Sequence, residues 1–300
     1  VELAEPHRTR VVEVNRTTLR VWEWGTPGDP PVICAHGAHD HGRMWDEVAP
    51  AVAAHGYHVV APDLRGHGGS GRISSGHLWE ACSLDLALLA REVGDPVGLL
   101  GHSFGGGLSL YVAAVWPELV RWVVDIDGLG PPADAFEEDD DLVGAATTAL
   151  DALEKLRARP PRVYASLEEM ASRRGQVNVR LPPEWLLHLA RHGAHPVEGG
   201  WTWATDPVFN IGFPGDFGPE VLLAQYALVD RPVLVLTGTE EDAWTGLPED
   251  ELAERVAALG AEHQAVPGAG HYVHIEQPGV VIDAVLRFAT EVDGLETGAT

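Results

Sequence analysis

The stretch Gly101-His102-Ser103-Phe104-Gly105 constrains this chain more than any other. It follows Val97 to Leu100, an apolar run that reads as a buried strand, and opens Gly105 to Trp116, which reads as a helix rich in small residues. In that setting G-x-S-x-G forms a sharp strand-to-helix elbow. The bend forces Ser103 into strained backbone geometry and projects its hydroxyl outward. A Cβ at either flanking glycine would clash with the turn. Gly106 and Gly107 let the helix lie close to the sheet, and a helix N-terminus at this point favours developing negative charge. The stretch therefore predicts a nucleophile at the end of a strand.

The rest of the chain supplies a sheet to carry it. Val11 to Val14 and Leu19 to Trp24 read as an opening β pair, and Val32 to Ala35, His58 to Pro62 and Trp122 to Asp127 as further strands. Trp45 to His55 and Leu78 to Val93 have helical spacing. This alternation predicts an α/β fold with a mostly parallel sheet flanked by helices. It breaks between Leu129 and about Tyr226, where Pro131-Pro132, Pro160-Pro161 and Pro182-Pro183 interrupt a mainly helical stretch. Glu137 to Asp141 is a run of acids that reads as a solvated loop, and Trp201, Trp203, Phe209 and Phe213 cluster near the end of the stretch. The alternation resumes with strand Val233 to Thr237, helix Glu249 to Leu259, strand His263 to Val266 and helix Val280 to Val292; Asp293 to Thr300 reads as a frayed tail. The expected organisation is a core domain of residues 1–128 and 227–300 with a cap, or lid, domain of residues 129–226 inserted into it.

Three further stretches carry a resemblance. They are Cys34-Ala35-His36-Gly37-Ala38 after the third strand, Ala61-Pro62-Asp63-Leu64-Arg65-Gly66-His67-Gly68 after the fourth, and Gly268-Ala269-Gly270-His271 before the last helix. With the elbow, they make the chain resemble the α/β-hydrolase superfamily over almost its full length, in its serine-hydrolase, esterase- or lactonase-like form with a cap domain. The resemblance implies a catalytic triad with Ser103 as nucleophile and His271 as general base. It implies an oxyanion hole made by the backbone N–H groups of Phe104 and Ala38. His36, Gly37, His102 and Trp203 are substrate-binding candidates around that site; His36 and His102 also read as shaping its loops by hydrogen bonding. His274 is the near competitor of His271, but the Gly-x-Gly-His context belongs to His271.

The acid that orients the imidazole stays open at this level. Asp127 ends strand Trp122 to Asp127, and Asp125 shares its face but lies deeper. The loop after Val233 to Thr237 offers Glu241, where the resemblance would place an aspartate, and Asp242 one residue later. His36, His39, Asp40 and His41 form a dense cluster, but the spacing departs from H-x-H-x-D-H, so no metal is expected.

The resemblance implies acyl transfer to and from Ser103 on a small-molecule carboxylic ester or lactone, with no metal or organic cofactor. Serine at the elbow, in place of aspartate, argues against epoxide hydrolysis and haloalkane dehalogenation. Carbon–carbon cleavage of a diketone-like substrate, and a hydrolase-fold ligand receptor with little turnover, are the alternatives. The cap aromatics read either as an apolar substrate surface or as the cap's own core. A formal net charge of -25 disfavours nucleic acid and anionic membrane surfaces as partners. There is no apolar run of membrane-spanning length and no signal-like leader, so the expectation is a cytoplasmic protein. The two cysteines, Cys34 and Cys82, read as buried free thiols.

Overall fold

The apolar runs pair into one sheet because each is bounded by turn residues and too short to do anything but cross a core once. In the computed structural model, which describes residues 3–72, 79–135, 151, 154–155, 158, 161–207, 209, 218–242 and 246–294, these strands are β1 (Arg8–Glu13), β2 (Thr18–Trp24), β3 (Pro31–Ala35), β4 (His58–Pro62), β5 (Val97–His102), β6 (Val120–Ile126), β9 (Val233–Gly238) and β10 (Glu262–Val266), with β7 and β8 in the cap. The order across the sheet is β1-β2-β4-β3-β5-β6-β9-β10. β2 runs antiparallel to β1 and β4, and the remaining neighbours are parallel. The acidic run Glu137 to Asp141, Leu78, Pro160, Phe213 and tail residues 295–300 lie outside the described residues.

Both faces of the sheet are covered, and strand alternation decides which side chain goes where. Val32, Cys34, Val59, Leu100, Val124 and Leu236 join one apolar cluster with helices α1 (Val48–Ala54), the one-turn α8 (Val273–Glu276) and α9 (Pro278–Asp293). Ile33, Ala35, Val60, Leu99, Val123 and Val235 join the other, with α2 (Trp79–Val93), α3 (Phe104–Val115) and α7 (Glu249–Leu259). β5 is buried at every position, which is why Val97 to Leu100 reads as an unbroken apolar run. Cys34 and Cys82 are buried and unpaired with each other. No helix among the described residues is long and apolar enough to cross a membrane.

The cap leaves the core after β6 and returns before β9. It holds α4 (Leu167–Gly175), α5 (Pro183–Gly193) and the strands β7 (Ala194–Val197) and β8 (Gly200–Trp203); α6 (Pro219–Tyr226) follows, with Leu222 and Tyr226 in the same apolar cluster as α3 and α7. Ser166 caps α4 by accepting from Glu169 N, while Glu169 Oε2 accepts from Ala165 N. Pro182-Pro183 begins α5, with Pro183 where a missing N–H costs nothing. The antiparallel pair β7–β8 is absent from the periodicity because each strand has only four residues. Its signal is the turn: Glu198-Gly199 links Val197 to its partner Gly200, and Gly199 has φ 85°. Tyr226 Oη donates to Leu129 O at 2.8 Å and Arg255 Nη1 to the same oxygen at 2.7 Å, which ties the chain leaving β6 to the chain approaching β9.

Candidate active site

Ser103 lies between β5 and α3 at φ 52° and ψ −118°, a left-handed conformation that costs a non-glycine residue energy and persists only where its surroundings impose it. They do so from three sides. Ser103 N donates to Ile126 O of the neighbouring strand at 2.9 Å, and Gly107 N donates to Ser103 O at 3.0 Å. A Cβ at Gly101 would sit 2.4 Å from Gly105 O, and one at Gly105 would sit 2.2 Å from Ala35 O. The helix therefore begins immediately after the serine and packs against the loop that follows β3.

β6 ends beside this bend, and Asp127 is again left-handed, at φ 50°. Its N–H donates to Leu236 O of β9 at 2.9 Å, which continues the ladder one residue past the strand and turns the side chain toward the loop of His271. That loop is held from several sides. Gly238 packs so closely that a Cβ would lie 2.3 Å from Gly270 O. Glu240 N donates to Ala269 O at 3.0 Å, Gly270 N donates to Glu276, and Arg180 Nε donates to Glu276 Oε2 at 2.6 Å. His271 Nδ1 lies 2.5 Å from Asp127 Oδ2. A carboxylate only accepts, so Nδ1 carries the proton and Nε2 is the ring's acceptor. The two side chains are 11% and 22% exposed, accessible to a small molecule yet mostly shielded from water. Asp242 reaches the same loop differently, accepting from the backbone N–H of His271 at 3.2 Å through Oδ2. Glu241 is exposed.

Gly37 and Ala38 lie across from the elbow: a Cβ on Gly37 would approach His102 Nδ1 to 2.8 Å and Ser103 Cβ to 3.4 Å. Histidines fix this loop. His36, fully buried, donates from Nδ1 to Gly37 O at 2.7 Å and accepts at Nε2 from Leu64 N at 2.8 Å. Burial depresses its pKa, so it stays neutral and can accept that bond. His67 donates from Nδ1 to Arg65 O and accepts at Nε2 from His39 N at 3.2 Å. His39 is left-handed at φ 67°, and Asp40 N closes the turn onto Gly37 O at 3.2 Å. His102 is buried, donates from Nε2 to His271 O at 3.0 Å, and is held neutral first by burial and then by the neighbouring His274 and His271. His274 is buried against Trp45 and His102, with burial pushing its pKa down to about 3.

The structure thus brings Ser103, Asp127, His271, Gly37 and His102 into one neighbourhood. It places His36 beneath the loop with both ring nitrogens engaged, rather than on a surface. Trp203 lies half-buried in β8 beside Gly193, with the Arg174 guanidinium 5.7 Å from its ring centroid. Of the residues around His39, His41 Nε2 donates to Leu189 O of the cap at 3.0 Å and Asp40 pairs with Arg174, which also comes from the cap. No group of three metal-ligating side chains occurs among the described residues. Asp125 lies fully buried under the bend, with Gly128 N donating to its Oδ2 at 3.2 Å, and burial raises its pKa well above the usual carboxylate range. Arg174 and Tyr272 are the side chains that sequence reasoning missed. Arg174 carried no signal; Tyr272 had only its adjacency to His271.

The sequence profile described as "Alpha/beta hydrolase family" matches residues 32–284. The chain is 28% identical to epoxide hydrolase A of Mycobacterium tuberculosis, over 96% of this chain and 98% of that protein. It is 27% identical to 2-(acetamidomethylene)succinate hydrolase of Mesorhizobium japonicum, over 93% of this chain and 94% of that one. Among solved structures, a thioesterase domain from the curacin biosynthetic pathway superposes with a TM-score of 0.83 at 25% identity, covering 93% of this chain and 99% of that one.

Proposed function

Since the chain belongs to the alpha/beta hydrolase family, we propose that it is a serine hydrolase that cleaves a carboxylic ester or lactone through an acyl-enzyme on Ser103. The observation that carries this reading is the 2.5 Å approach of His271 Nδ1 to Asp127 Oδ2 beside a serine held in a strained elbow. A serine hydroxyl is a weak nucleophile until a base takes its proton, and a base on a neutral imidazole needs its other nitrogen protonated and held. Asp127 supplies that hold; Asp242 and Glu241 are assigned no such part.

In the proposed cycle His271 Nε2 removes the Ser103 proton as Oγ bonds to the substrate carbonyl carbon. The carbonyl π electrons move to oxygen, and the oxyanion accepts hydrogen bonds from the backbone N–H groups of Phe104 and Ala38. No acceptor for Ala38 N occurs among the described residues, so the group is available for this part. The carbon–oxygen bond to the leaving alcohol breaks as the oxyanion collapses, and the alkoxide takes the proton from His271. Water then repeats the sequence on the acyl-enzyme and restores Ser103. Asp127 stabilises the imidazolium in both halves.

The relatives carry names from several hydrolytic chemistries, and Ser103 selects among them. An alkoxide opening an epoxide would form an ether, which the second half-reaction cannot release; a carbonyl substrate closes the cycle. The cap, taken as residues 129–226, is assigned the choice of substrate, with Trp203 facing the acyl or alcohol group. Steady-state turnover on a panel of short-chain aryl esters and lactones tests the reading. Many turnovers per molecule in the wild type, abolished in Ser103→Ala, are expected. Stoichiometric turnover, or equal rates in the two proteins, would overturn it.

A further inference from the structure

The end of α4 carries a cation that the proposed cycle does not use. The Arg174 side chain is only 9% exposed. Its Nη2 donates to Asp40 Oδ1 and, at 3.0 Å, to Tyr272 Oη, which itself lies 3.4 Å from Asp40 Oδ2. The guanidinium also stands 5.7 Å and 5.9 Å from the ring centroids of Trp203 and Tyr272. One buried group therefore joins three pieces of chain: the cap helix, the loop of Gly37 and Ala38, and the loop of His271.

Each attachment reaches the proposed machinery by a short covalent path. Asp40 is two residues from Ala38 and closes its turn onto Gly37 O, with the left-handed His39 between them. That turn cannot shift at one end without moving the other. Tyr272 is peptide-bonded to His271. Burial by itself pushes the Asp40 carboxyl up, but the charge and hydrogen bond of Arg174 outweigh it and keep the group ionised. Nη2 is engaged by Asp40 and Tyr272, and Nε is buried with no partner among the described residues. The group is placed to hold loops rather than ligand.

We propose that Arg174, together with Asp40 and Tyr272, is a positioning unit that couples docking of the cap to the geometry of the oxyanion loop and of His271. The inference rests on the serine-hydrolase reading above. With the cap undocked, the Ala38 amide and the imidazole lose their common anchor and the serine loses competence; substrate affinity is set elsewhere.

The test uses the full-length chain, a short-chain aryl ester and a fluorophosphonate probe. Arg174→Gln is expected to lower kcat by about tenfold or more, a fraction of what losing an oxyanion donor costs. KM should stay within about threefold of wild type, and the rate of probe labelling should fall in parallel with kcat. Arg174→Lys should recover part of the loss. Tyr272→Phe should lower kcat by itself, and the double variant should be no worse than Arg174→Gln, as for residues that act as one unit. The proposal is overturned if kcat of Arg174→Gln stays within about twofold of wild type, or if KM rises while kcat holds. Fully additive losses would overturn it too. Should Arg174→Gln fail to fold, Tyr272→Phe decides alone: unchanged kcat there rejects the unit. Wild-type labelling that survives in Ser103→Ala would instead remove the serine reading, and this inference with it.

Discussion

Replacing Asp127 with asparagine keeps the side chain's shape and removes its charge. In the proposed transition state His271 becomes an imidazolium beside a carboxylate whose Oδ2 lies 2.5 Å from Nδ1. Opposite charges centred about 4 Å apart, at an effective dielectric near 20, interact by about 4 kcal/mol. At about 1.4 kcal/mol per decade this is a loss of about 10³ in kcat. The amide can also donate to Nδ1 and hold the wrong tautomer, which extends the loss toward about 10⁴. Asp242 accepts the backbone N–H of His271 at 3.2 Å, and an asparagine there can accept the same bond. A hydrogen bond of this kind contributes about 1 kcal/mol, so Asp242→Asn should cost less than about tenfold. Glu241→Gln changes an exposed side chain and should leave kcat where it was. The assay is steady-state kcat on a short-chain aryl ester for the three variants, with thermal unfolding as a control for folding. A larger loss in Asp242→Asn or Glu241→Gln than in Asp127→Asn would refute the assignment.

Other outcomes follow from the packing and the charges. Glu23 is buried, which by itself pushes its pKa up, yet hydrogen bonds from His58, Arg10 and Arg8 hold it down to about 2. A depressed carboxylate stabilises the fold above its unfolded value, near 4.3, and that stability is lost as pH falls toward 2. Glu23→Gln should therefore unfold at lower denaturant than wild type at pH 7, by at most about 3 kcal/mol given that Arg8 is half-exposed, and the midpoints should converge in acid; a gap independent of pH contradicts this. Gly105→Ala would force a Cβ to 2.2 Å from the backbone oxygen of Ala35, so the variant should be insoluble or lose about 3 kcal/mol in chemical unfolding. Gly279→Ala, early in α9 with nothing within 4 Å of the new atom, should be neutral or slightly stabilising; equal destabilisation of the two would mean that the elbow is not close-packed.

Much of the architecture was legible because local chemistry and global packing agree in it. β5 is buried on both faces and reads as apolar from Val97 to Leu100; α3 must lie close to the sheet and carries Gly105, Gly106 and Gly107 in its first turn. The helix Glu249 to Leu259 matched its sequence reading end to end because acids fill its first turn and Gly260, at φ 59°, stops it. The β7–β8 pair was not legible, since four-residue strands in a helical stretch leave only a turn as a signal. The choice between acids was not legible either. Asp127 and Asp242 both reach the loop of His271, and the proposal of Asp127 rests on its left-handed backbone and on a side chain that meets the ring, where Asp242 meets the backbone N–H. Arg174 illustrates the hardest case: its partners, Asp40 and Tyr272, lie 134 and 98 residues away, and no periodicity or spacing encodes such a meeting.

In the proposed cycle the hydroxyl of Ser103 becomes covalently acylated. Incubation with a fluorophosphonate, followed by intact mass and peptide mapping, tests it directly. A single adduct on the peptide containing Ser103, absent in a folded Ser103→Ala protein and strongly slowed in His271→Ala, is the predicted result. An adduct on another residue, or labelling of Ser103→Ala at the wild-type rate, would contradict the account.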